Sequence, residues 1–185
     1  MNVTQETLDL IKRWEGCRLK AYKCSAGKWT VGYGLTTAAG FITVDKDTTL
    51  TQAEAEWYLE QVVAKFADQI APVITAPITP PQFGAFVSLA YNIGPTAFRK
   101  SSALRHFNAG DLDKVPAAMK LWKKAGGKVV QGLVNRREDE VNFFLSGPKT
   151  APMPKPAPKP APQQHWLLGL LRVILSLFSS PWRPK

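Results

Sequence analysis

Residues 15–36 read EGCRLKAYKCSAGKWTVGYGLT, and the change of character inside this stretch decides the fold. Upstream of it, Leu8, Ile11 and the pair Leu10/Trp14 recur at helical spacing, and Gly16 supplies a stop, so residues 4–15 are predicted as a short helix. Within it, Trp29-Thr30-Val31-Gly32-Tyr33-Gly34 mixes β-branched and aromatic residues with glycines. Phe41-Ile42-Thr43-Val44 follows, and the two runs suggest a small, glycine-loosened hairpin sheet.

Beyond residue 50 the pattern is helical again. Thr51-Gln52-Ala53-Glu54 forms a capping box for a helix reaching about Ile70, and Thr79-Pro80-Pro81-Gln82 caps another that runs to Asn92 before Gly94. Further helical runs are expected at 102–108, 111–122 and 133–146. The fold class is α+β: mainly helical, with one small antiparallel sheet near the amino end.

The chain has 185 residues, 45% of them hydrophobic, enough for one good core. Its net charge is +10, distributed unevenly. No acid follows Glu140, whereas Lys149, Lys155, Lys159, Arg172, Arg183 and Lys185 do; the other 18 Lys/Arg and 14 Asp/Glu leave the body near +4. Between body and tail, Pro148–Pro162 (PKTAPMPKPAPKPAP) alternates Pro with Ala and Lys and reads as a semi-rigid spacer. Three zones are therefore expected: a globular domain at 1–147, a linker at 148–162 and a basic segment at 163–185. Two cysteines, Cys17 and Cys24, are too few for a disulfide scaffold, and no apolar run at the amino terminus reads as a signal peptide.

Glu15 occupies the last turn of the first predicted helix. The negative end of the helix dipole disfavours a carboxylate there and so favours the protonated form that a general acid needs. A lone Glu is a weak signal, because carboxylates are common on solvated helix ends. The spacing is more telling: Glu15, eight residues, Cys24, five residues, Thr30, with Thr30 inside T-V-G-Y-G-L-T. Here the sequence resembles the phage lysozyme family, glycoside hydrolase family 24. A-Y-N-I-G at 90–94, Phe98 and Ser101-Ser102, F-N-A-G-D at 107–111, and W-K-K-A-G-G-K-V-V-Q-G-L-V-N-R-R-E at 122–138 match that family's blocks in order, over nearly all of residues 4–146.

The resemblance implies an endolysin that cleaves the β-1,4 bond between N-acetylmuramic acid and N-acetylglucosamine in peptidoglycan. Glu15 is then the acid, Cys24 the second catalytic position and Thr30 the water-positioning threonine. Arg136 is the supporting arginine paired with the acid, its structural alternative being an ordinary exposed Arg on the last helix; Tyr33, Gly34 and Phe98 are expected to bind substrate. Two departures stand out. Cys24 replaces a carboxylate, and a nearby Glu carboxylate is expected to raise its pKa, making it a poor base unless a cation intervenes. The expectation is that Cys24 and Thr30 hold the water mainly by hydrogen bonds. A lytic transglycosylase, in which the sugar's own 6-hydroxyl attacks, is the alternative chemistry. Leu35 stands where many relatives have a His that braces the sheet, which puts stability in question more than activity. Some relatives cage an active-site cysteine in a disulfide; two reduced cysteines are the favoured reading here.

Trp166–Phe178 (WLLGLLRVILSLF) is too short to span a membrane. As a helix it carries one narrow polar stripe through His165, Gly169, Arg172 and Ser176, which fits an interfacial amphipathic helix touching outer membrane or lipopolysaccharide. A helix docked on the domain and a dimerisation segment are its alternatives, and a monomer is expected. No helix carries a clustered basic recognition face, so no nucleic-acid partner is expected. No cofactor is expected, and no metal: His106 and His165 lie 59 residues apart. A membrane-active protein on an impaired lysozyme scaffold is a further alternative, opposed by intact Glu15 and Thr30. Synthesis in the host cytoplasm is expected, with action in the periplasm or cell wall after release, a step the resemblance assigns to a holin.

Overall fold

The computed structural model describes residues 3–24 and 26–147; the expected linker at 148–162 and the basic segment at 163–185 lie outside the described residues. Helix α1 (Gln5–Glu15) opens on Thr4, whose hydroxyl accepts the Thr7 N–H at 3.4 Å, and buries Leu8, Leu10 and Ile11. Gly16 ends it with φ +64°, a left-handed conformation that residues with a Cβ rarely adopt.

The strands differ from the expected hairpin. Strand β1 (Arg18–Lys23) pairs antiparallel with β2 (Trp29–Gly32), Arg18 opposite Gly32 and Lys23 opposite Trp29, with a register shift between. Residues 41–44 are not a strand; the outer edge of β1 is instead taken by 48–50, through Ala21 N–H to Thr48 O (2.9 Å) and Leu50 N–H to Leu19 O (2.8 Å). Val44 instead turns inward, its backbone N–H donating to the Thr37 hydroxyl at 2.9 Å and its side chain joining the core.

Helix α2 (Gln52–Ile70) and helix α3 (Pro80–Ile93) both begin on the expected capping boxes, Thr51/Glu54 and Thr79/Gln82. Such a cap contributes about 1 kcal/mol, by satisfying amides that the first helical turn leaves without partners. Helix α3 is buried from Gln82 to Ala90 and packs against α1, α2, α4 (Pro95–Arg99) and α7 (Gln131–Leu145). Between α4 and α7 come α5 (Ser102–Asn108), α6 (Val115–Met119) and a minimal hairpin, β3 (Lys124–Ala125) with β4 (Lys128–Val129). The helix expected over 111–122 is thus shorter: Leu112–Lys114 is a 3₁₀ turn, and Pro116 sits in the first turn of α6, where its missing N–H costs least.

The core centres on Phe86. Its ring meets Phe98 at 5.2 Å and Phe107 at 5.1 Å edge-on, and Phe144 at 5.5 Å in a tilted arrangement. Such aromatic pairs add about 0.5–1.5 kcal/mol each beyond burial. Leu35 joins this core, 4% exposed, with its backbone bonded both ways to Val31 at 2.9 Å. Apolar packing therefore occupies the position where the resemblance puts a His brace in many relatives.

Candidate active site

Glu15 is the last residue of α1, and its side chain is 22% exposed. Arg136, one turn into α7, reaches across to it: Nη1 lies 2.7 Å from Glu15 Oε1, with Arg136 itself only 4% exposed. The reading of Arg136 as an exposed helix residue is therefore set aside. The rest of its guanidinium is committed too, Nε to Glu140 Oε1 at 3.1 Å and Nη2 to the Ser88 carbonyl at 3.4 Å.

Residues 136, 137 and 140 project from one side of α7, as spacings of three and four require. Glu140 Oε1 accepts from Arg137 Nη2 at 2.8 Å and from the Ser88 hydroxyl at 2.7 Å as well as from Arg136. Burial pushes the Glu140 carboxyl up from the ordinary carboxylate range, against the pull of both guanidiniums, and draws Arg137 down. Arg137 and Glu140 were not foreseen as neighbours of the site.

A third unforeseen residue is Tyr91, which lies within the A-Y-N-I-G block. Its hydroxyl donates to the Tyr33 carbonyl at 2.8 Å. Burial, reinforced by the charge of Glu15, pushes the phenol well above its ordinary range, so it remains a donor at every working pH. Gly34, at φ +88°, passes so close that a Cβ there would stand 3.8 Å from Glu15 Oε2 and 4.0 Å from the Tyr91 hydroxyl. Gly34 and Tyr91 also line a cleft of about 370 Å³, with Thr36, Lys65, Phe66 and Gln69.

Cys24 and Thr30 come together on the β1–β2 hairpin. The turn is closed by Cys24 N–H to Lys28 O (2.9 Å) and Gly27 N–H to Cys24 O (2.8 Å), and the buried Thr30 hydroxyl donates to the Lys28 carbonyl at 3.2 Å. The backbone amides of Lys28 and Ala26, with the Thr30 hydroxyl, hold the Cys24 thiol below the usual thiol range. This reverses the expectation that a carboxylate would raise it: the turn's amides dominate, and Glu15 is not among the groups acting on the sulfur.

Both cysteines are free thiols. They flank β1, whose paired ends span Trp29 to Gly32 on β2. At about 3.3 Å per residue that span alone is roughly 10 Å, beyond the Cα separation of about 7 Å that a disulfide tolerates.

Two of the expected substrate contacts are placed elsewhere. Phe98 is fully buried against Phe86, so packing rather than substrate claims its ring. The Tyr33 side chain is 8% exposed, and its hydroxyl accepts from Gln52 Nε2 at 3.0 Å; only its backbone carbonyl, held by Tyr91, borders the site. Among the described residues no cluster of His, Cys, Asp or Glu could hold a metal ion.

A carboxyl at a helix end, paired with a buried arginine and lying beside a glycine that lines a cleft, is an arrangement suited to a lysozyme-like glycoside hydrolase. Residues 12–140 match the phage lysozyme family. The endolysin of Acyrthosiphon pisum secondary endosymbiont phage 1 is 40% identical over 150 residues, covering 79% of this chain and 99% of that one. The endolysin of Bacillus phage B103 is 38% identical over 149 residues, 80% of this chain and 55% of that longer protein. Among solved structures, a mutant of P22 lysozyme superposes with a TM-score of 0.71 at 34% identity, over 79% of this chain and 99% of its own. The chain belongs to the phage lysozyme family. It is a glycoside hydrolase, an endolysin with peptidoglycan-degrading activity that acts on the host cell wall.

Proposed function

We propose that this endolysin hydrolyses the β-1,4 bond from N-acetylmuramic acid to N-acetylglucosamine, with Glu15 as general acid and Cys24 and Thr30 holding the attacking water. The observation that carries the reading is the placing of Glu15: it ends α1, Arg136 Nη1 pairs with it at 2.7 Å, and its Oε2 lies beside Gly34, a residue that lines the cleft. Glu15 gives its proton to the glycosidic oxygen as the C1–O bond breaks. Water attacks C1 from the opposite face and surrenders its proton toward the hairpin, which inverts the anomeric centre. The Lys28 and Ala26 amides, which lower the Cys24 thiol, support a role for this hairpin in holding the water.

Absence of a carboxylate at position 24 favours one second reading, attack by the sugar's own 6-hydroxyl. Weighing the products of purified glycan separates the two. Reducing N-acetylmuramic ends, one water heavier than their precursor bond, are expected; 1,6-anhydro ends as the main product would establish transglycosylation.

We further propose that residues 163–185 engage outer membrane or lipopolysaccharide through their apolar run and their cationic residues, after synthesis in the host cytoplasm. No helix among the described residues is long and apolar enough to cross a membrane.

A further inference from the structure

We propose that Glu140 is a positioning residue for the acid: by sharing Arg136 with Glu15, it limits how strongly that arginine holds Glu15 in its ionised form and so sets the upper pH limit of catalysis. The inference rests on the reading of Glu15 as general acid. It starts from a conflict in that reading, since a guanidinium at 2.7 Å orients the acid but also favours its charged form, which has no proton to give.

The geometry resolves the conflict through a second carboxylate. One guanidinium bridges two acids, with Nη1 on Glu15 and Nε on Glu140, and Glu140 is fully buried. Glu140 Oε1 accepts three donors, two of them from guanidiniums, an arrangement suited to a carboxylate rather than a neutral acid. The groups around this chain come from three helices: Glu15 from α1; Tyr91 and the Ser88 hydroxyl from α3; Arg136, Arg137 and Glu140 from α7. Tyr91 stays neutral, so the charges are two guanidiniums against two carboxylates, and the cluster balances only while Glu140 is present.

The sign of the effect follows from charge. Removing the Glu140 charge leaves Arg136 and Arg137 facing Glu15 alone, which favours ionised Glu15 and moves the alkaline limb of the pH–activity curve down. Removing the Arg137 charge does the reverse. For charges this close in a partly buried site the displacement is about one pH unit.

The test uses the full chain and purified peptidoglycan, measuring kcat/KM from pH 4 to 9 for Glu140→Gln, Arg137→Gln and the double variant. In parallel, the Glu15 carboxyl carbon is titrated by NMR. The alkaline limb is expected to fall by about one unit in Glu140→Gln, to rise in Arg137→Gln and to return near the parent in the double variant, with the Glu15 titration moving alike. Should Glu140→Gln fail to fold, the charge-balanced double variant and Arg137→Gln still give two of the three positions. A uniform loss of rate with an unmoved limb, or limbs that move in the same direction in both single variants, would overturn the inference while leaving Glu15 as the acid. Undiminished activity in Glu15→Gln would instead remove the reading beneath it.

Discussion

Cys24 shows how far a single side chain depends on the backbone around it. From the sequence, a thiol near a carboxylate is a weak base; in the folded hairpin, the amides of Lys28 and Ala26 and the Thr30 hydroxyl stabilise its thiolate. Because the thiolate is the reactive form, alkylation follows its titration. In a Cys17→Ser chain, the pH–rate curve for iodoacetamide is expected to have its midpoint below that of the same chain unfolded in urea. A midpoint equal to or above that of the unfolded chain would show that the turn does not act on the sulfur. The helix end that carries Glu15 was legible because its signals are local, whereas the hairpin that brings Cys24 and Thr30 together was not, since the expected partner of 29–34 was 41–44. Nor were Tyr91 and Glu140 legible, because each depends on a partner far along the chain, Tyr33 for one and Ser88 for the other. Phe98 misled for the reverse reason: its place in a family block says nothing of which way the ring points, and here it points into the core.

Among the elements, those with a strong local code were readable. The capping boxes at Thr51 and Thr79 and the stop at Gly16 fall where the sequence puts them, since each depends on residues within one helical turn. β1 was missed because Arg-Leu-Lys-Ala-Tyr-Lys is mostly exposed and shows little burial contrast; its pairing is fixed by β2 and by 48–50 rather than by its own pattern. The short helix α4 was missed too, five residues between Gly94 and Lys100 being too few for a period to register. Position 84 tests the packing of the central helix. A Cβ on Gly84 would collide with Thr7 Oγ1 and stand 2.6 Å from Phe143 Cε1, so α1 and α7 approach α3 only because that residue is glycine. Gly84→Ala is expected to destabilise the domain by about 1–3 kcal/mol, seen as a lower urea midpoint with an unchanged slope. A midpoint equal to the parent's would show that the three helices separate without cost.

At the scale of the whole molecule, charge and composition divide the work between a body near +4, which holds the candidate site, and a tail with cations only. If the tail serves the outer membrane, a chain of residues 1–147 is expected to lyse outer-membrane-stripped Gram-negative cells as the full chain does and to lose most of its effect on intact ones. Equal lysis of intact cells by both would end the membrane role. In the body, the role of Glu15 is decided by the rate of glycan-bond cleavage in purified peptidoglycan by Glu15→Gln, with its folding checked by circular dichroism. Loss of the proton donor is expected to cut the rate by about 10²–10⁴-fold while the fold persists. A folded Glu15→Gln chain cleaving within a few-fold of the parent would contradict the assignment of Glu15 as the acid.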